Sequence, residues 1–132
     1  MEEPTNTRES EPVGFERDDE FVSLYANNVL FERSIWDLKM IFGQLDQYQG
    51  KVRVEQHTAI TIPWVQAKLM NHFLSVNLAM YESENGQIQI PSILLPQAPG
   101  SLTEGPGDND PQADAQIQLI RKLHDQFIAG LK

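Results

Sequence analysis

Three histidines are the residues of this sequence best suited to bind a metal or to move a proton near neutral pH. His57, His72 and His124 lie far apart along the chain and in different predicted elements. None belongs to a spaced ligand motif such as His-Glu-x-x-His, and the chain contains no cysteine. We therefore predict structural histidines, no metal, no bound cofactor and no thiol chemistry.

Two carboxylates on neighbouring predicted strands, Asp37 and Glu55, would form an acid–base pair if the strands placed them opposite each other. The competing interpretation is that they are solvated residues paired with Lys39 and Arg53, and we favour it. Since no serine lies near a base or in a nucleophile-elbow motif, we assign no catalytic residue and predict that the protein is not an enzyme.

A polar pair on the long predicted helix is the remaining candidate for a small-molecule site. Asn77 precedes Tyr81 by four residues, which places both on one side of the helix. They would form a polar binding spot in the core. Alternatively, Tyr81 packs as an amphipathic lid while Asn77 bonds to a strand end or a loop, and we favour this structural role.

The net charge of −9 over 132 residues comes mainly from the N-terminal segment, because residues 1–20 carry eight acidic and two basic side chains. Phe21 to Leu95 is nearly neutral. A negative chain without a basic stripe predicts no nucleic-acid partner and no anionic membrane surface. The first residues are acidic and lack the apolar stretch of a signal peptide, so we expect a cytoplasmic location.

Composition divides the chain into four segments. Residues 1–20 predict a disordered acidic tail, because they hold almost no large apolar side chains. Residues 21–95 form the predicted core domain. Residues 96–112, rich in Pro, Gly, Asp and Gln, predict a flexible linker. Residues 113–131 predict an amphipathic helix.

The core predicts an α+β fold in which a small antiparallel β-sheet of three to four strands packs against one long α-helix. Glu20–Ser34 favours a strand, interrupted or bulged near Asn27-Asn28. Ile35–Leu45 fits a strand with Trp36, Leu38, Met40 and Phe42 on one face, although a helix starting at Ser34 also fits. Asp46–Gly50 predicts a turn. Lys51–Ile62 predicts the clearest strand, with a bulge near Gln56–Thr58 where the alternation changes parity.

The run from Pro63 to Asn85 predicts the long helix. Pro63 suits a first-turn position, and Gly86 suits a left-handed residue after the last turn. The apolar arc is wider than one sheet face requires, and its main stripe comprises Val65, Leu69, Phe73, Val76 and Met80. Residues 87–96 then predict a short extended segment, bent at Pro91.

Several of these residues together resemble the prokaryotic domain-of-unknown-function family 3467, over Phe21 to Ile90. The resemblance is carried by Tyr25–Asn27, Ser34, Asp37, Phe42-Gly43, Pro63, Ala67-Lys68, Asn77 to Glu82 and Gly86–Ile88. The family has a Pro-x-His-Ala-Lys pattern at the helix start, and this chain has Gln66 where that histidine would fall, with one extra residue before it. The resemblance implies several antiparallel strands and one long helix, and no assigned activity. The layout is also similar to the subunit of the SecB export chaperone, a likeness of fold only.

The C-terminal helix carries a predicted partner-binding stripe at three- and four-residue spacing, made of Ile117, Ile120, Leu123, Phe127 and Leu131. Asp110 is the expected N-cap, and Pro111 the first helical residue. Three interpretations are open. The helix folds back on its own chain, packs on a neighbouring subunit, or docks in a groove of another protein.

A core of about 75 residues without disulfide or metal is marginal alone, so we predict a homodimer or higher oligomer. The first functional hypothesis is a non-catalytic oligomeric protein-binding or assembly module whose C-terminal helix docks on a partner or neighbouring subunit. A SecB-like holdase chaperone is the alternative. A small ligand-binding domain or enzyme using Asn77 and Tyr81 ranks third.

Overall fold

The computed structural model describes residues 13–99 and 111–131. The first part of the predicted acidic tail, most of the predicted linker and the expected N-cap Asp110 lie outside these ranges. The chain divides after Ala67 into two units, and each is described by itself. The four predicted segment boundaries stay predictions.

The first unit contains a three-stranded antiparallel sheet in the order β1-β2-β3, which together with the two helices described below confirms the α+β fold. β1 is Asn28–Arg33, β2 is Asp37–Tyr48 and β3 is Lys51–Pro63. The strand interpretation of the second run is therefore correct, and Ser34 caps no helix. Its hydroxyl accepts the backbone N–H of Trp36 and of Asp37, both at 3.1 Å, and closes the turn between β1 and β2.

The turn between β2 and β3 is shorter than the sequence predicted. Gln49 and Gly50 both have positive φ, 50° and 76°, the conformation of a two-residue hairpin loop whose twist matches its strands. Asp46–Tyr48, predicted as part of the turn, instead belongs to β2.

The predicted first strand is wrong over residues 20–27, because the chain joins the sheet only at Asn28. The physical reason lies in the side chain of Asn27. Its Oδ1 accepts the backbone N–H of Leu45 and its Nδ2 lies 3.5 Å from the carbonyl oxygen of the same residue. A side chain thus occupies the backbone groups of β2 that a longer β1 would use. The predicted interruption near Asn27-Asn28 is confirmed.

A bulge in β3 confirms the irregularity predicted near Gln56–Thr58. Phe42 pairs with Thr58 while the next residue, Gly43, pairs with Gln56, so His57 is the extra residue. Gly43 is buried, and a Cβ there would lie 2.6 Å from the carbonyl oxygen of Glu55. The close approach of the two strands at the bulge therefore requires a residue without a side chain.

The sheet has two apolar faces, which follow from the pairing register and the two-residue period of strands. We call the first the cavity face; its apolar members are Val29, Phe31, Leu38, Met40, Phe42, Ile60 and Ile62. We call the second the bare face; its apolar members are Leu30, Ile41, Leu45, Val52, Val54 and Ala59, and it also carries Glu32, Lys39 and Thr61 at one end. Trp36, predicted to share a face with Met40, precedes β2 in the turn and is 79% exposed.

Helix α1 is Trp64–Asn85. Pro63, expected in the first turn, is the last residue of β3 and pairs with Asp37. The helix ends as predicted at Gly86, whose φ is 85° and whose N–H donates to the carbonyl oxygen of Glu82 at 2.9 Å. The Glu82 carboxylate also accepts the N–H of Ile88 at 2.8 Å, which fixes the direction of the chain after the helix.

The second unit continues through α1 and residues 86–99 to helix α2, Pro111–Gly130. Residues 86–91 have no regular structure, and Ser92–Leu94 forms a 3-10 turn directly after Pro91. Hydrogen bonds join α2 to this segment. Gln87 Nε2 donates to Gly130 O at 3.0 Å, Arg121 donates to Pro99 O at 3.1 Å, and His124 Nε2 lies 3.0 Å from Pro96 O.

Candidate functional site

His57 is held by both of its ring nitrogens. Nε2 lies 3.0 Å from the carbonyl oxygen of Tyr25, and Nδ1 lies 2.8 Å from the hydroxyl of Thr58. A carbonyl only accepts, so Nε2 carries the hydrogen, and in the neutral ring Nδ1 accepts from the hydroxyl. The bulge thus directs the His57 side chain towards the segment before β1. The hydrogen bond from His57 to Tyr25 holds that segment across the cavity face.

An apolar cavity of about 260 Å³ lies beside His57 on the cavity face. Its lining combines the segment before β1 with the strands, and consists of Val22, Leu24, Ala26, Phe42, His57, Thr58 and Ile60. On the other side of His57, a cavity of about 210 Å³ is lined by Gln44, Asp46, Glu55 and His57. Among residues 13–99 and 111–131, no group of three or more histidine, aspartate or glutamate side chains is arranged to hold a metal ion.

The structure does not bring Asp37 and Glu55 together. Asp37 pairs with Pro63 at one end of the sheet, and Glu55 pairs with Gln44, seven residues or about 24 Å along β2. Glu55 Oε2 lies 3.5 Å from Arg53 Nη2, which agrees with the ion pairing that we favoured from the sequence. Asp37 instead accepts a hydrogen bond from the Ser34 hydroxyl at 2.9 Å. The expected partner Lys39 lies 3.8 Å from Glu32, and exposed pairs of this kind contribute little to stability.

Asn77 donates its amide hydrogen to the carbonyl oxygen of Phe73, one turn earlier in α1, at 2.8 Å. It therefore bonds within its own helix rather than to a strand end or a loop. Tyr81 is 54% exposed. Ser75 and Asn85 bond in the same way to carbonyl oxygens four residues before them, so these polar side chains of α1 satisfy their donors locally.

The predicted partner-binding stripe of α2 is divided by the structure. Ile117 and Leu131 are half-buried, together with Ala113, His124 and Ile128. Ile120, Leu123 and Phe127 are 48%, 56% and 43% exposed. We call these last three residues the exposed α2 stripe.

His57 and His124 are structural histidines, as the sequence predicted, but sequence reasoning did not identify the groups that they bind. The side chain of His124 is 15% exposed and bonds to Pro96, so it belongs to the half-buried side of α2. Because histidine is a polar residue type, the pattern of apolar residues along α2 did not place His124 on the half-buried side. For His57, the change of parity along β3 was the available signal, but it does not identify Tyr25 as the partner.

Most large apolar side chains of the described residues are exposed to solvent. Met40, 7% exposed, is the one large apolar side chain in these ranges that is buried. No residue of α1 is buried, and Phe73, Leu74 and Met80 are 57%, 56% and 59% exposed. Apolar exposure on this scale is typical of surfaces that another molecule covers.

These features define a small α+β protein whose sheet and helices present apolar surfaces and in which His57 and His124 fix local structure. The chain matches the protein family of unknown function DUF3467 over residues 1–90 and belongs to it, which confirms the resemblance found in the sequence. No curated protein and no solved structure matches the chain. Within the described ranges, neither helix is long and apolar enough to cross a membrane.

Proposed function

We propose that this protein is a non-catalytic, homo-oligomeric module for binding and assembling proteins. The observation that carries the proposal is α1, a helix of 22 residues with no buried residue. Apolar side chains occur around most of its circumference, and a helix of that composition is stable in water only when other surfaces cover it. A second copy of the chain supplies such a surface with two-fold symmetry.

The state of the polar groups supports a role without catalysis. Both ring nitrogens of His57 are hydrogen-bonded, and Asn77 bonds within α1. A general base needs a nitrogen or oxygen within reach of a substrate proton, and these groups serve local structure instead.

The exposed α2 stripe supports a second, protein-binding surface. α2 is attached to residues 87–99 through its half-buried side, while Ile120, Leu123 and Phe127 are available on an adjacent side. Three apolar anchors at helical spacing are typical of helices that enter a groove of another protein.

Sedimentation equilibrium of the purified full-length chain, from about 1 to 100 µM, tests the assembly. The expected result is a mass of two or more chains over most of this range. A single-chain mass at the highest concentration would contradict the proposal.

Affinity capture from the native lysate then separates the two kinds of binding, with a variant disabled in the exposed α2 stripe as the control. One dominant partner that is lost in the variant supports docking through α2. Many unrelated partners retained by both proteins, together with suppression of aggregation of an unfolded client, would instead favour the holdase alternative.

A further inference from the structure

We propose that α1 of a second copy lies across the bare face of the β-sheet, and that the two copies exchange their helices reciprocally. The inference rests on the proposed oligomeric function and specifies its interface. It joins two surfaces of this chain that are both apolar and both open to solvent.

The apolar part of the bare face runs across β1, β2 and β3, and the ion pair of Glu32 with Lys39 lies at one end of it. Val52 and Leu30 are 57% and 50% exposed, and Val54 is 37% exposed. The Val54 side chain lies against Gly43, 2.9 Å from where a Cβ would be, so the bulge leaves this surface unbroken. A sheet with apolar side chains on both faces requires a cover on both.

The cavity face is a poorer site for a helix. The segment before β1 already lies against it, as the lining by Val22, Leu24 and Ala26 shows. Beyond His57 the same face becomes polar at Gln44 and Glu55. On the bare face the charged side chains Glu32 and Lys39 lie at one end, so no charge interrupts the part from Ile41 to Val52.

Helix α1 offers a matching stripe. Five apolar residues fall within about 80° of arc at 100° per residue, and they are Val65, Leu69, Phe73, Val76 and Met80. Their exposed fractions range from 41% for Val76 to 75% for Val65. The neighbouring Asn77 donates to the carbonyl oxygen of Phe73, so it can be covered without leaving its amide donor unpaired.

The connection between β3 and α1 favours a second copy over the chain's own helix. β3 ends at Pro63 and α1 begins at Trp64. A chain that folds a helix back over the strand before it ordinarily uses about two to six connecting residues, and here there are none. The indole N–H of Trp64 also donates to the carbonyl oxygen of Ser34 at 2.9 Å, which holds the start of the helix at the end of the sheet.

The dimensions also fit. The 22 residues of α1 span about 33 Å, and the 12 residues of β2 span about 40 Å. A helix about 10 Å wide covers two strands. Each contact then has a footprint of about 33 Å by 10 Å on the helix and an equal one on the sheet. Two reciprocal contacts would together bury about 1,300 Å², which lies within the usual range for a stable interface.

Site-specific cross-linking tests the exchange in the full-length chain, which has no native cysteine. One protein carries Val54→Cys on the bare face. The other carries Val76→Cys on the α1 stripe, plus a tag that distinguishes its mass. The two are unfolded, mixed, refolded and treated with a short bismaleimide. Asn71→Cys, on the opposite side of α1, replaces Val76→Cys in the matched control.

The expected result is a mixed covalent dimer of Val54→Cys with Val76→Cys, at a yield at least tenfold above the Asn71→Cys control. Equal yields from both pairs, or none, in a protein that sediments as an oligomer would overturn the helix exchange and leave the proposed function standing. A double variant, Val54→Cys with Val76→Cys, that cross-links within single chains would show that each helix covers its own sheet, which also overturns it. A protein that sediments as one chain removes both proposals.

Discussion

At the scale of single residues, the pairing of the strands depends on the side chains of Asn27 and His57 and on a glycine, Gly43, that leaves room between two strands. Asn27 binds the backbone of Leu45 and ends the pairing of β1 with β2. His57 binds the carbonyl oxygen of Tyr25 and holds the segment before β1. Gly43 allows the close approach of the strands that places His57 in the bulge.

Gly43→Ala should destabilise the protein by about 1–3 kcal/mol, the range found for overpacked interiors. The added Cβ would meet the carbonyl oxygen of Glu55 at 2.6 Å and the Val54 side chain at 2.9 Å. The first of these is backbone and cannot rotate away. Denaturant unfolding at a fixed protein concentration measures the loss. Gly14→Ala is the control, because a Cβ there meets nothing within 4 Å. Equal stability of the two variants would mean that the strands separate readily at the bulge.

Asn27→Ala should cost about 1–2 kcal/mol, because it removes the side-chain oxygen that satisfies the Leu45 N–H and leaves that donor without it. Asn27→Asp keeps an acceptor in the same place and should recover part of the loss. Amide hydrogen exchange at Leu45 gives a local readout. Exchange that is unchanged in Asn27→Ala would contradict the bridging role.

At the scale of elements, the strands were predictable where the alternation of residue types was strong. Lys51–Ile62 was correct to within one residue, because Val52 and Val54 alternate with charges and the later change of parity marks the bulge. The predicted first strand failed at residues 20–27, because Phe21, Val22 and Leu24 suit a strand locally while a side-chain bond from Asn27 to a residue 18 positions away decides the outcome. Such long-range bonds leave no periodic signal.

Helix α2 shows a similar limit. Its length and its start at Pro111 followed from residue types, but the side that faces residues 87–99 did not. The apolar arc of α2 is continuous, and the hydrogen bond of His124 to Pro96 fixes which part is half-buried. That bond places Ile117 with His124 and leaves Ile120, Leu123 and Phe127 exposed.

The double change Leu123→Asp with Phe127→Asp should abolish partner capture through α2 and leave the fold intact. Both side chains are about half exposed, 56% and 43%, so charges there remain hydrated but prevent an apolar groove from closing over them. Capture from the native lysate and circular dichroism measure the two effects. Gln118→Asp with Ala129→Asp adds the same charge at exposed positions on the opposite side of α2 and should leave capture unchanged. Unaltered capture by the first variant would rule out the exposed α2 stripe as the docking element.

At the scale of the whole molecule, the proposed assembly links stability to concentration. An oligomer gains stability by mass action, and each tenfold rise in concentration adds about 1.4 kcal/mol to a dimer. We expect Tm to rise by about 2–4 °C per tenfold increase in protein concentration. Phe73 should strengthen this dependence, because its 57% exposed ring is buried only when a partner covers α1.

Phe73→Ala separates an interface residue from a surface residue. In a lone chain, truncating a ring that is more than half exposed would cost little. In the assembly, the same change should cost about 3–5 kcal/mol, as for a buried phenylalanine. Ser75→Ala, which removes only a bond to the helix's own carbonyl, is the matched change on α1 outside the stripe. Thermal unfolding over a hundredfold concentration range should show Phe73→Ala lowering Tm most where the wild type is assembled. A Tm independent of concentration for all three proteins would mean that the apolar side chains of α1 are covered within one chain.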